Sequence, residues 1–118
     1  MKTATYRDYR AAWDERLRRE EKEVERKRDL LLDKIRLCAD KLRELGARRI
    51  TVFGSLVTGG FRKDSDVDIA VEGLSAEAYF KALGLLEEML DDVRFDLVDI
   101  REALPSVAKR IRREGIEI

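Results

Sequence analysis

The first 45 residues have the hydrophobic spacing and the composition of one long α-helix. They contain no glycine or proline and are rich in Glu, Arg, Lys, Leu and Ala, which favour helix formation. The apolar positions that recur at spacings of four and three, and so share one helical face, are Leu31, Ile35, Cys38, Leu42 and Leu45. We predict a helix over residues 5–45, with Thr3 or Thr5 as its N-cap and Gly46 at its end.

The first half of this predicted helix has a thinner apolar seam, interrupted by charged residues. The seam consists of Tyr6, Tyr9, Trp13, Leu17 and Val24. At about 1.5 Å per residue the helix is about 60 Å long, so it must either project from a small body or break. Two interpretations remain open: a solvated, salt-bridged helix with a frayed start, or a docking arm for a second protomer or another protein. The aromatic residues favour the arm, because such residues are enriched at interfaces.

After Gly46 the pattern changes to short alternating segments typical of strands. Residues 50–53 are β-branched and aromatic, and residues 66–71 alternate acidic and aliphatic side chains. A loop over 54–64 has room for one helical turn. The later predicted elements are a helix over 76–90 capped by Ser75 with Phe80, Leu83, Leu86 and Leu90 on one face, a strand over 94–100, a helix over 106–114 and an edge strand over 116–118.

These elements predict an α+β fold: a small mixed sheet of three or four strands with helices packed on one face, plus the long N-terminal helix. The 118 residues are divided into a helical arm (1–47) and one domain (48–118), a size that suits a single core. No apolar run reaches the roughly 18 residues of a membrane span, and the N-terminus lacks a secretory signal. We therefore expect a cytoplasmic protein without a membrane partner.

Composition excludes several chemistries. The chain has no histidine and one cysteine, Cys38, so Ser-His and Cys-His catalysis, His-ligated metals and an internal disulfide cannot occur within it. Cys38 follows the apolar helical spacing and is predicted to be a buried thiol. The net charge is zero, and the basic cluster over 109–113 suits a helix C-terminus, so direct nucleic-acid binding is not favoured.

Candidate chemistry begins with a turn and two carboxylates. Gly54 and Ser55 directly follow a predicted strand, where backbone amides and a hydroxyl can hold phosphate oxygens; most such pairs are simple turns. Asp66 and Asp68 are two positions apart on a strand and so face the same side. Adjacent carboxylates repel unless a cation lies between them, and Mg²⁺ prefers such oxygen ligands, although a lone pair of this kind is often just a solvated strand end.

A third acid is selected by strand parity. Phe95 and Leu97 share the core face of the third strand, so Asp96 points to the opposite face, where it meets Asp66 and Asp68 if the two strands are neighbours. Asp99 has the parity of Phe95 and is the poorer candidate. The acids left to loops are Asp64, Asp91 and Asp92. Three carboxylates beside a phosphate-holding turn suit phosphoryl chemistry with two metal ions.

The run Gly54-Ser55, ten residues, then Asp66-x-Asp68 resembles the signature of the DNA polymerase β-like nucleotidyltransferases. The small size and the stretch from Phe95 to Gly115 resemble the minimal nucleotidyltransferase branch, which is often paired with a HEPN protein in toxin–antitoxin modules. The resemblance covers about residues 48–118. It implies that Gly54 and Ser55 contact the triphosphate, and that the metal-binding and catalytic residues are Asp66, Asp68 and Asp96.

By this resemblance, we expect a nucleotidyltransferase that uses Mg²⁺, with two ions when nucleotide is bound, and transfers AMP from ATP to a protein partner, a HEPN toxin. The alternative is a weakly active or inactive module that neutralises a toxin by binding it. Many minimal members carry arginines in a GSRARG-like loop, and this chain does not; Arg62 or Lys63 would be the substitute cation. Homo-oligomerisation through the N-terminal helix is compatible with either function.

Overall fold

The computed structural model describes residues 3–62 and 64–118. Its elements follow the predicted order, with boundaries that differ by a residue or two. In chain order they are α1 (Tyr6–Glu44), β1 (Arg49–Phe53), α2 (Ser55–Thr58), β2 (Val67–Glu72), α3 (Ala76–Met89), β3 (Phe95–Asp99), a 3₁₀ turn (Ile100–Glu102), α4 (Pro105–Glu114) and β4 (Ile116–Glu117). The loop after β1 does contain one helical turn, α2.

The four strands form one mixed sheet in the order β3-β2-β1-β4. β1 is antiparallel to both β2 and β4, whereas β2 and β3 are parallel. The predicted α+β fold with a small mixed sheet is therefore confirmed. The parallel pair has α3 as its crossover connection, as parallel neighbours require.

The core lies mainly between one sheet face and the helices α1 and α3. It contains the inward residues of the strands, such as Ile50, Val52 and Ile69, together with Ile35 of α1 and Leu86 of α3. The prediction of helices on one face holds for α1 and α3 but not for α4. A second cluster on the opposite face joins α4 to the sheet and contains Phe53, Ala70 and Ile111, with Val98, Ile100 and Val107 at its edge. Phe53 and Ala70 alternate along their strands with the residues that face the main core, so α4 must lie on the other side of the sheet.

The helix α1 is continuous and projects from the body. Thr5 forms a capping box with Asp8, and Gly46 follows the helix with a φ of +113°, so both predicted termini are confirmed. Burial begins only at Leu31, and the molecule measures 70 × 29 × 18 Å. The domain boundary at 47/48 stays a prediction, because the second half of α1 packs into the same core as the sheet.

In α3 the predicted apolar face was wrong at one residue. Leu86 and Leu90 are buried, but Phe80 is 71% exposed. Successive spacings of three residues drift around a helix of about 3.6 residues per turn, which turns Phe80 away from the core. Tyr79 lies inward instead, and its hydroxyl donates a hydrogen bond to the carbonyl oxygen of Leu97 at 2.5 Å.

Cys38 is fully buried and carries a free thiol, as expected from its helical spacing. No helix within residues 3–62 and 64–118 combines the length and the apolar character that crossing a bilayer requires.

Candidate active site

The turn after β1 lies directly against a carboxylate of β2. Gly54 adopts a φ of +78°, a conformation that L side chains rarely take. A Cβ built at this position would overlap Oδ2 of Asp68. Two features therefore favour glycine at this position: the positive φ of the backbone and the lack of room for a Cβ beside Asp68. Ser55 begins α2 immediately afterwards, so α2 starts one residue after the glycine that lies against Asp68.

Three neighbouring strands place one residue each in a row beside this turn. Phe53 of β1 is paired with Asp68 of β2, and Asp68 is paired with Asp96 of β3. Residues paired across a sheet share a face, so Asp68 and Asp96 are adjacent on the face opposite the main core. Asp68 is half-buried and Asp96 is exposed. The prediction that Asp96 lies near Asp68 depended on the second and third strands being neighbours, and they are.

The electrostatics of Asp68 reflect this crowding. Burial raises the pKa of Asp68 above its ordinary value, the negative charge of Asp96 raises it further, and the guanidinium of Arg110 partly opposes both. Asp66 and Glu114 add smaller increases to the pKa. A bound cation would relieve this repulsion.

Asp66 directly precedes β2 and is engaged by a residue that the sequence did not indicate. Its Oδ1 lies 3.2 Å from Nε of Arg94, although the side chain as a whole is 44% exposed. That oxygen is buried and receives no well-aligned hydrogen bond from any residue that the structure describes. Arg94 also donates to the carbonyl oxygen of Asp64 at 3.1 Å. The guanidinium thus holds the segment that leads into β2.

The donor chemistry fits a hard divalent cation, but the carboxylates are not gathered into a finished site. Within the described ranges, no three acidic or cysteine side chains form a group that could hold one ion as they stand. Asp66 Oδ1 nevertheless receives no well-aligned hydrogen bond from the residues described, and Asp68 repels Asp96. Carboxylate oxygens are the ligands that Mg²⁺ takes, usually with water and substrate phosphates. Asp66, Asp68 and Asp96 are the residues that could hold such an ion.

The acids that the sequence disfavoured are exposed or engaged by other residues. Asp99 accepts hydrogen bonds from the backbone amide and the guanidinium of Arg101, and these bonds hold the pKa of its carboxyl below the ordinary value. Asp64, Asp91 and Asp92 are exposed, and Asp92 forms an ion pair with a lysine of α1.

The structure places a cation beside the carboxylate row that the sequence did not indicate. The backbone amide of Arg62 donates to Oγ of Ser65 at 2.8 Å, which closes the loop; Lys63 lies outside the described residues. The guanidinium carbon of Arg110 lies 5.7 Å from the centre of the Phe53 ring, beside the carboxylate row. The basic residues of α4 suit the helix dipole, and only the packing of α4 on the second face brings Arg110 here.

Comparison with known proteins covers the segment that contains the sheet and the candidate residues. Residues 38–118 match the family model described as Polymerase beta, Nucleotidyltransferase. A protein adenylyltransferase, MntA, of Thermococcus cleftensis is 40% identical over 81 residues, which cover 66% of this chain and 82% of that protein.

Two solved structures share the fold. One chain of a crystal structure of a toxin–antitoxin with AMP-PNP is 30% identical, with a TM-score of 0.58, over 72% of this chain and 69% of that one. A structure assigned to a minimal nucleotidyltransferase is 29% identical, with a TM-score of 0.67, over 77% of this chain and 95% of that one. With all five candidate residues inside the matched segment, this chain belongs to the polymerase beta nucleotidyltransferase family.

Proposed function

We propose that this chain transfers AMP from ATP to a hydroxyl group of a protein partner and thereby acts as the antitoxin of a HEPN-type toxin. The observation that carries the proposal is the row in which Asp68 lies between Asp96 and the Gly54 turn. The family membership supports nucleotidyl transfer. The relative named as a protein adenylyltransferase and the similar chain in a toxin–antitoxin structure with AMP-PNP support the nucleotide and the class of partner.

Each residue has a defined task in this reaction. Gly54 and Ser55 hold the triphosphate through the amides and the hydroxyl of the turn. The partner's hydroxyl oxygen attacks the α-phosphorus, forming a new O–P bond, while the bond to the bridging oxygen breaks and pyrophosphate leaves with the electron pair. Asp96, the most exposed of the three acids, accepts the hydroxyl proton.

Divalent cations, two with nucleotide bound, would neutralise the triphosphate and stabilise the leaving group. Asp66 and Asp68 would hold both ions and Asp96 would complete one site. The described part of the chain contains no separate helical domain around this face, so the partner must present its own acceptor group. ATP and Mg²⁺ are both supplied in the cytoplasm, where we expect the reaction.

A second candidate is a binding module that neutralises a toxin without chemistry. Two observations favour it: Arg94 engages Asp66, and the aromatic residues of α1 are exposed, with Trp13 at 56%. Both functions would require complex formation, but only the first would require the carboxylates.

The test is transfer of label from α-³²P-ATP with Mg²⁺ to a HEPN protein co-expressed with the chain. We expect labelling by the wild type, and a fall of about 100-fold or more for Asp96→Asn, the size expected on loss of a general base. Asp91→Asn, an exposed loop acid, is the matched control and should label normally. No labelling by a wild-type chain that forms the complex would refute the transfer reaction and favour the binding module.

A further inference from the structure

One hydrogen bond connects the projecting helix to the phosphate-holding turn. Nε of Arg28 in α1 donates to the carbonyl oxygen of Leu56 in α2 at 2.8 Å, and the bond is partly buried. Arg28 precedes Leu31, where burial of α1 begins. Within residues 3–62 and 64–118, it is the first position of α1 that hydrogen-bonds another element.

The carbonyl that Arg28 reaches needs an outside donor. α2 is only four residues long, and the amides of Val57 and Thr58 both donate to the carbonyl oxygen of Gly54 at 3.1 Å. An α-helix would supply the donor for Leu56 from residue 60, but α2 ends at Thr58. Because Leu56 is fully buried, a carbonyl without a partner there would be costly.

The bond therefore fixes the orientation of a very short helix. A single turn has little stability of its own, and α2 is held by the buried Leu56 side chain at one point and by the Arg28 guanidinium at another. α2 begins at Ser55, directly after Gly54, which lies against Asp68. A rotation of α2 would change where the first amides and the Ser55 hydroxyl point.

We infer that Arg28 is a positioning residue for the nucleotide: it holds α2 from behind, so that the Gly54-Ser55 turn stays shaped for phosphate. The inference rests on the proposed function for the identity of the ligand. Arg28 lies outside the segment that matches the family model, which begins at residue 38. Part of the support for the nucleotide site therefore comes from the projecting helix α1.

The experiment compares three variants of the full chain. Arg28→Met keeps the length of the side chain and removes the donors, Arg28→Lys keeps the charge and one donor group, and Arg26→Met is the matched control on the exposed surface of the same helix. Amide hydrogen exchange at Val57 and Thr58 reports whether the turn is held. Calorimetry with ATP and Mg²⁺ reports nucleotide affinity, and the transfer assay separates KM from kcat.

For Arg28→Met we expect faster exchange at Val57 and Thr58 with unchanged exchange in β2. ATP affinity should fall about tenfold, the effect of losing a hydrogen bond to a charged group, with a higher KM and an unchanged kcat. Arg28→Lys should restore part of the affinity, and Arg26→Met should behave as the wild type.

Three outcomes would overturn the inference. They are wild-type exchange and affinity in Arg28→Met, equal effects in Arg26→Met, and faster exchange throughout β2, which would indicate general destabilisation. If the wild type binds no ATP, the proposed function fails, whereas the exchange at Val57 and Thr58 still decides whether Arg28 holds the turn.

Discussion

Gly54 and Asp68 fit against each other so closely that a Cβ on the glycine would overlap the carboxylate. We predict that Gly54→Ala removes Mg²⁺-dependent ATP binding, because the variant must both strain the backbone at a φ of +78° and displace Asp68. Strain of this kind costs about 1–3 kcal/mol, so the unfolding temperature should also fall. Calorimetry and thermal unfolding measure the two effects.

The control for this variant is Gly84→Ala. Gly84 lies inside α3, and a Cβ there meets nothing within 4 Å. This variant should bind ATP normally and gain about 0.5–1 kcal/mol of stability, the usual difference between alanine and glycine in a helix. Wild-type ATP binding by Gly54→Ala would contradict the assignment of the turn to the phosphates.

Asp68 should lower the stability of the metal-free protein at neutral pH. Its pKa is raised in the folded state, first by burial and then by Asp96, so folding disfavours its charged form. The protonated form of Asp68 therefore favours folding. This stabilisation is fully present below 3.8, the pKa of the unfolded chain, and is lost as the pH rises through the higher pKa of the folded protein. We predict that Asp68→Asn melts above the wild type at pH 7, and that the difference disappears below pH 3.8.

Asp99 provides the matched comparison with the opposite sign. The hydrogen bonds from Arg101 lower its pKa, so its stabilisation is present above 3.8 and is lost as the pH falls through the folded pKa. Asp99→Asn should therefore melt below the wild type at pH 7. The measurement is thermal unfolding of both variants across pH without added metal; shifts of the same sign would contradict the assignment of the two environments.

Arg94 should compete with metal for Asp66. Its Nε lies 3.2 Å from Oδ1 of Asp66, so an ion that takes this oxygen must displace the guanidinium. We predict that Arg94→Met binds Mn²⁺ a few times more tightly than the wild type, a modest factor because the arginine side chain is 78% exposed and such pairs are weak. Electron paramagnetic resonance of free Mn²⁺ measures the affinity.

Lys34→Met is the control for loss of one positive charge elsewhere, since its ammonium pairs with Asp92 at 3.7 Å. It should leave Mn²⁺ affinity unchanged. Weaker binding by Arg94→Met would mean that the arginine shapes the site rather than competing for it.

The exposed first half of α1 should be dispensable for nucleotide but not for partners. Burial starts at Leu31, whereas Tyr6 and Tyr9 are 77% and 68% exposed. We predict that removing residues 1–25 leaves ATP affinity within about twofold, because sites without shared contacts couple only weakly and Arg28, which contacts α2, is retained. Binding to the HEPN protein should be lost.

Light scattering of the full and shortened chains shows whether a second copy also binds this surface. Self-association through residues 1–25 would be lost in the shortened chain, whereas self-association elsewhere would remain. Replacing Tyr6, Tyr9 and Trp13 by serine in the full chain provides a control that keeps the length of the helix. Unchanged partner binding by both variants would assign the first half of α1 to solvent.

Helix and strand periodicity are local properties of the chain, so the elements and the strand face on which Asp68 and Asp96 lie were readable from the sequence. Parity separated Asp96 from Asp99, and the register of β2 with β3, which pairs Asp68 with Asp96, agrees. Spacing predicted that Asp66 shares the face of Asp68, but Asp66 lies before β2 and outside that register. The glycine after β1 was also readable, although the reason for it, the Asp68 carboxylate, was not.

Which distant side chains meet depends on the packing of the folded chain and could not be predicted. The pairs of Arg28 with Leu56 and Arg94 with Asp66 join residues 28 positions apart in the chain, and the placement of α4 over Phe53 depends on the packing of the whole sheet. Long arginine side chains have many rotamers, and their partners are selected by the surrounding packing rather than by spacing. The carboxylates could therefore be found in the sequence, whereas the arginines that contact α2 and Asp66 could not.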